Sequence, residues 1–298
     1  MATLKEVQLK ISAVKKTKQI TKAMNMVAAS RLRGAQSRMV GFRPYASKFE
    51  AVLGSLAQSA GEGSSPLLIA REEIKRTHII LCTSDRGLCG GFNTNLIEKA
   101  ADLAQEKIAK GIEVSFTAFG KKGRDWMRRE KRTMVDQHLG VVGGTFGFNV
   151  ASTSGRRMVT GFLENEYDEV IIVYAEFLSM ARQIPVIKQV LPIPPLEKAD
   201  EALQADADAP YLPEHITEPS PEALLGELLP KSVDVQIYRA LLETSTSEHA
   251  ARMMAMDNAT KACNDIIQSL TLAYNKARQA AITGELMDIV GGAEALKG

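Results

Sequence analysis

The sequence predicts an α/β central domain, Rossmann-like with a mainly parallel sheet, inserted between long N- and C-terminal helices that form an antiparallel coiled coil. Three observations carry this expectation. No proline precedes Pro44 and none follows Pro230, so both chain ends are free to run as long helices. Between them the hydrophobic period changes to short β-branched runs that alternate with helical stretches. Strand–helix–strand order implies parallel strands joined by right-handed crossovers. The expected divisions are a helix over 1–58, the α/β domain over 67–195, an acidic proline-rich segment over 196–230, and a second helix over 231–298.

Leu4, Val7, Ile11 and Val14 fall on one stripe at heptad-like spacing. The apolar stripe lapses at Thr17 and Lys18 and resumes at Ile20, Met24, Val27 and Ala28. Pro44 predicts a kink or break, and 59–66 is a linker by composition. The run 77–83 reads as a buried strand, followed by the glycine-rich turn 84–93. A helix is expected over 94–110 and ends at Gly111. Next come a strand over 112–119 and a basic helix over 121–131. The stretch 138–148 is glycine-rich and carries no clear pattern. A helix over 150–166 precedes two strands, 169–177 and 183–193. Residues 194–230 hold seven of the eleven prolines. The final 68 residues, from Lys231 onward, could reach about 100 Å as a helix at about 1.5 Å per residue. Val233, Ile237, Leu241, Thr244, Ala251, Met254, Ile266, Leu270, Ala273 and Ala277 give it a one-sided seam.

The net charge of +2 hides an asymmetry. Residues 1–50 carry eleven Lys and Arg against Glu6 and Glu50, a net of +9, whereas 196–230 carry nine acidic residues against Lys198, a net of −8. Two different partners are implied. Cys82, Cys89 and Cys263 form no CxxC pair, and the four histidines make no metal-ligand pattern. No apolar run reaches the ~20 residues of a membrane span. The lysine-rich N-terminus lacks an apolar signal core and reads as mature structure.

The loop from Ser84 to Gly91 sits where α/β folds hold phosphates, between a strand and a helix N-terminus. Its spacing is not GxGxxG and no Gly-Lys-Ser/Thr is present, so a structural or docking turn competes with nucleotide binding. Asp85 and Arg86 suit a loop ion pair better than an acid–base pair. Cys89 has no neighbouring histidine to lower its pKa. No Ser/His/Asp set and no paired carboxylates stand out. These residues leave open a dinucleotide-dependent enzyme with a helical dimerisation arm, a basic coiled-coil nucleic-acid scaffold and a mechanical part. The first lacks its phosphate fingerprint, and the second lacks aromatic interleaving.

Four segments resemble the gamma-subunit family of F-type ATP synthases: ITKAMNMVAASRLR (20–33), SDRGLCGGFN (84–93), SEHAARMMAMDNAT (247–260) and YNKARQAAITGELMDIVGGAEAL (274–296). Their order and spacing match as well. The resemblance implies a non-catalytic rotor shaft standing in a hexamer of alpha and beta subunits. Its α/β domain would meet the epsilon subunit and the c-ring and couple proton transport to ATP synthesis. It further implies partner contacts at Lys22, Met24 and Met26, at Arg252, at Arg278 and Gln279, and at Glu218 in the foot segment. No cofactor is implied, because the nucleotide chemistry belongs to beta. The implied location is peripheral, on the cytoplasmic face of a bacterial inner membrane. Gly284 departs from the polar helix former usual at that place, and no cysteine pair occupies the region where plastid relatives carry a regulatory dithiol.

Overall fold

The computed structural model describes residues 4–60, 65–194 and 220–295. Helix α1 spans Leu4–Ala60 and helix α5 spans Pro221–Ala295. Between them lie β1 (Arg76–Cys82), α2 (Phe92–Ala109), β2 (Glu113–Phe119), α3 (Lys121–Arg129), β3 (Thr133–His138), α4 (Phe148–Leu163), β4 (Glu169–Phe177) and β5 (Gln183–Leu191). The chain divides into two compact units, one of residues 1–29 with 252–298 and one of residues 30–251.

The larger unit holds a five-stranded sheet in the order β3-β2-β1-β4-β5. The first four strands are parallel and β5 runs antiparallel to β4. This matches the expected mainly parallel Rossmann-like sheet, with β5 as the exception. Only residues 178–182 separate β4 from β5, too short for the crossover that a parallel neighbour needs. β3 was not expected. It is an edge strand with no fully buried residue, so it carries no strong apolar pattern.

β1 is buried along its length after Arg76, and its residues 79–82 form a continuous apolar run. Ile79 and Leu81 point into one core with Phe116 and Ala118 of β2, Ile171 and Val173 of β4, and Leu96, Ala100 and Leu103 of α2. Trp126 of α3 meets Phe116 edge-on at 5.6 Å between centroids. His78 is fully buried and bonded to Ser115 Oγ at 2.7 Å and Thr117 Oγ1 at 2.9 Å. Burial drives its pKa down to about 3, so it stays a neutral strand residue.

Pro44 does not break α1. Its ring lies on an exposed face, where water can take the carbonyl that loses its amide partner, while Met39, Ala46 and Leu53 are buried. α5 begins at Pro221 rather than Lys231 and includes Pro230. Ser220 caps its first turn by accepting the Ala223 N–H at 3.3 Å, and Pro221 is pre-shaped for the first helical position. Of the segment expected over 196–230, residues 196–219 lie outside the described residues and the remainder is helical or caps the helix.

Two classes of glycine behave differently here. Gly34 and Gly41 lie on exposed parts of α1 with open space around a would-be Cβ. A Cβ on Gly155 of α4 would collide with the Asp234 carboxylate of α5. Gly34→Ala and Gly41→Ala should each raise stability by roughly 0.5–1 kcal/mol, because the helix interior no longer carries glycine's entropy cost. Gly155→Ala should lower the melting temperature measured on the same chain.

Candidate functional site

Two places deserve the question of function: the loop at the C-terminal edge of the sheet and the paired terminal helices. The loop satisfies itself. The Ser84 N–H donates to Asn93 Oδ1 at 2.9 Å, the Ser84 hydroxyl donates to the Arg86 carbonyl at 2.5 Å, and the Asn93 amide donates to Cys89 Sγ at 3.2 Å. Asp85 accepts the Lys121 N–H at 3.1 Å and the Gly140 N–H at 2.9 Å. One carboxylate thus ties the loop after β1 to the start of α3 and to the loop after β3. Leu88 and Gly90 take left-handed backbone conformations, with φ of 64° and 61°. These groups are spent on the turn itself, which favours the structural reading over a phosphate cradle. Among the described residues no three or more His, Cys, Asp or Glu side chains gather as a metal site.

In the smaller unit α1 and α5 run antiparallel. Thr21 Oγ1 lies 2.8 Å from Thr260 Oγ1, and four residues further along α1 the Asn25 amide donates to the Met253 carbonyl at 2.8 Å. From Lys5 to Ala23 every residue of α1 is exposed except Val7, Ile11, Val14, Lys18 and Thr21. That is strict alternation of three and four, the coiled-coil period. On α5 the matching covered residues from Lys261 to Ala281 are Cys263, Ile267, Leu270, Tyr274, Ala277 and Ala281.

The expected stripe is corrected in detail. Ile20 and Val27 are 60% and 55% exposed, and the seam passes instead through Thr21 and Asn25. On α5, Ile266 and Ala273 face outward, and Ile267 and Tyr274 are the covered residues. The covered positions of α1 keep the three–four spacing even where the apolar side chains leave it. Continuing the interval from Leu4, Val7, Ile11 and Val14 reaches Lys18, Thr21, Asn25 and Ala28, which is the signal that would have found the polar rungs.

The outward faces carry both charge and apolar surface. Lys22 is exposed, Met26 is 60% exposed and Met24 is half-buried beside the seam. Arg278 and Gln279 are exposed on α5, about 27 Å along the helix from Thr260. They form a second group that the structure does not bring to Met24. Arg252 differs from these because it is only 8% exposed. Glu218 lies outside the described residues. From Ile282 to Glu294 every residue is exposed, including Leu286, Met287 and Ile289 at 56–69%. Large apolar side chains in the open on a helix of this length mark a surface meant to be covered.

The helices are also joined in the larger unit, by Phe42 against Tyr238 at 4.8 Å and by Arg239 between Glu50 and Glu243, at 3.6 and 3.2 Å. Burial and the Glu243 charge push the nearby Tyr174 hydroxyl up to about 12.

A family model described as ATP synthase matches residues 3–296. The chain belongs to the ATP synthase gamma-chain family. It is 65% identical to the ATP synthase gamma chain of Desulfosudis oleivorans and 56% identical to that of Nitratidesulfovibrio vulgaris, in each case over 100% of both chains. A central-stalk chain from the mitochondrial ATP synthase of Tetrahymena thermophila aligns with a TM-score of 0.61 at 25% identity, covering 80% of this chain and 99% of that one. A chain from the Euglena gracilis mitochondrial enzyme shares the fold with a TM-score of 0.69 at 21% identity, covering 98% and 94%. The gamma chain is a stalk subunit of the synthase and not a catalytic one, consistent with the self-satisfied loop. No helix among the described residues is long and apolar enough to cross a membrane.

Asp234 of α5 is a partly buried carboxyl whose titration the packing of this gamma-family chain disturbs. Burial raises its carboxyl to about 6, against the pull of Arg156. A raised carboxyl favours the fold fully below its unfolded value near 4, and that contribution is lost as pH rises through about 6. Asp234→Asn should therefore stabilise the chain at pH 8 by about 1 kcal/mol after allowance for solvent screening. The gain should vanish toward pH 4 in denaturant titrations run at both pH values.

Proposed function

We propose that this chain is the central rotor shaft of an F-type ATP synthase, transmitting torque between a membrane c-ring and the catalytic hexamer of alpha and beta subunits. The observation that carries the reading is the full-length match to gamma chains, at 65% identity over all of both sequences. In this role the exposed basic and apolar faces of α1 and α5 are bearing surfaces. An asymmetric shaft presents a different contact to each beta subunit, and only differential contact can move a subunit between states. Lys22, Met24, Met26, Arg278 and Gln279 are the contacts to the hexamer. Arg252, being buried, supports the neighbouring helix surface. Glu218 belongs to the foot that meets the c-ring and epsilon subunit. The shaft works peripherally at the cytoplasmic face of a bacterial inner membrane, and its coupling to proton transport comes through the complex.

Tagged chain expressed with its operon partners should co-purify with alpha, beta and epsilon subunits. Recovery of the chain alone overturns the reading. A sharper measurement concerns Met24, half-buried and beside the seam. Met24→Lys adds a cation that finds a carboxylate on beta in some rotational states only. Differential stabilisation of ~1–2 kcal/mol, in the range of a charged hydrogen bond, slows escape from that state about tenfold. The assembled variant should keep hydrolysing ATP while pumping fewer protons per ATP. Normal pumping per ATP in a fully assembled variant removes Met24 from the interface.

A further inference from the structure

The buried part of α5 has an unusual composition. From Leu241 to Ala250 no residue is more than 2% exposed, yet Glu243, Thr244, Ser245, Thr246, Ser247, Glu248 and His249 are all polar. A helix buried on every side is normally apolar all round. Buried hydroxyls without partners are costly, so a polar buried helix implies neighbours that need hydrogen bonds.

The neighbour is the end of β4. The last β4 residue paired with β1 is Val173, opposite Leu81. Ala175 lies beyond that pairing. Its N–H donates to Thr244 Oγ1 at 3.3 Å, and its carbonyl accepts from Ser247 Oγ at 3.3 Å. Thr244 in turn donates to the Ala240 carbonyl at 2.7 Å. Thr244 and Ser247 are three apart and share one helix face. One turn of α5 therefore bonds both backbone groups of a strand residue that β1 has left.

The position matters. In the strand order β3-β2-β1-β4-β5, the parallel strands β1 and β4 flank the point where the order of strand addition reverses. Outside the C-terminal ends of those strands is the crevice where folds of this class bind ligands. Here α5 fills it. A Cβ on Gly143, in the loop after β3, would meet the Glu248 carboxylate, and Ala251 packs on the core that includes Cys89 and Phe92. The crevice is occupied by a hydrogen-bonded helix where other proteins place a nucleotide.

We infer that Thr244 and Ser247 are positioning residues that clamp α5 to the sheet at Ala175 and carry load between the α/β unit and the shaft helix. The inference rests on the rotor reading. Apolar packing resists separation but has weak directional preference, whereas two hydrogen bonds to one residue fix rotation and translation together. A load that turns the sheet must pass to α5 through contacts of this kind or be lost as slip.

The test uses the complete synthase reconstituted in proteoliposomes, with Thr244→Val and Ser247→Ala made separately. Co-purification of the unaltered chain with alpha and beta subunits is checked first, so failure of the rotor reading is seen independently. In assembled variants, protons pumped per ATP hydrolysed should fall about fivefold, the factor carried by one hydrogen bond of ordinary strength. Amide exchange at Ala175 should rise, and Thr244→Ser should restore both readouts. A merely structural role predicts lower thermal stability with unchanged pumping per ATP, and that result in either assembled variant overturns the clamp. If neither variant assembles, these hydroxyls serve assembly and the load-bearing role is likewise rejected.

Discussion

The constraint on which the rest depends is that helices of 57 and 75 residues need a partner along their length. Intrinsic propensity holds a helix only marginally in water, and most of its stability comes from a packed face. α1 supplies that face without interruption. Its covered positions keep the three–four interval from Leu4 through Thr21 and Asn25 to Leu32, Ala35, Met39, Ala46, Leu53 and Leu56. Pro44, Gly34 and Gly41 fall off the seam, which is why a sequence with apparent breaks still makes one helix. The cost of each is confined to solvent-side backbone and side-chain entropy, while the covered face is untouched.

Within the larger unit the same helices do a second job. Phe42 and Tyr238 meet edge to face between them, and Arg239 bridges Glu50 of α1 and Glu243 of α5. Glu243 is almost fully buried, so this arrangement fixes geometry at an energetic cost that packing elsewhere offsets. Asp168 does similar work on the far end of the sheet, accepting the Lys75 and Arg76 N–H groups at 2.9 and 2.8 Å. Glu169 pairs with Lys107 of α2 at 2.5 Å and accepts the Thr77 hydroxyl at 3.2 Å. Charged groups thus anchor the start of β1 and β4, in a sheet whose buried middle is mainly apolar apart from His78 and its hydroxyl partners Ser115 and Thr117.

Much of the fold was legible in the sequence for plain physical reasons. β1 and β4 are buried on both faces, so their residues had to be apolar and β-branched, and the run 169–177 matches β4 at both ends. β3 escaped notice because an edge strand half in water has no such demand. The direction of β5 was decided by a short connection, which its own side chains do not report. The start of α5 was written in Ser220 and Pro221, but it was masked by the density of prolines before it. The partner-facing residues were legible mainly by resemblance. Lys22 and Met26 look like any exposed Lys and Met until the seam is known. The polar rungs at Thr21, Asn25 and Thr260 were legible only through spacing, because hydrophobicity points to the wrong face there.

Those polar rungs and the hydroxyls at Ala175 follow one logic. An apolar seam of similar residues tolerates sliding by one heptad at little cost, since each new register buries much the same surface. A threonine pair at 2.8 Å and an asparagine amide on the Met253 carbonyl at 2.8 Å do not survive such a shift. Displacement would leave part-buried polar groups without partners, and that penalty exceeds the modest net gain of forming each bond. Polar groups in the seam therefore lower the attainable stability and raise the cost of every wrong alignment. A chain whose task is to transmit rotation has more use for a single alignment than for a few extra kcal/mol. The same exchange explains why α5 carries threonine and serine where burial alone would favour leucine.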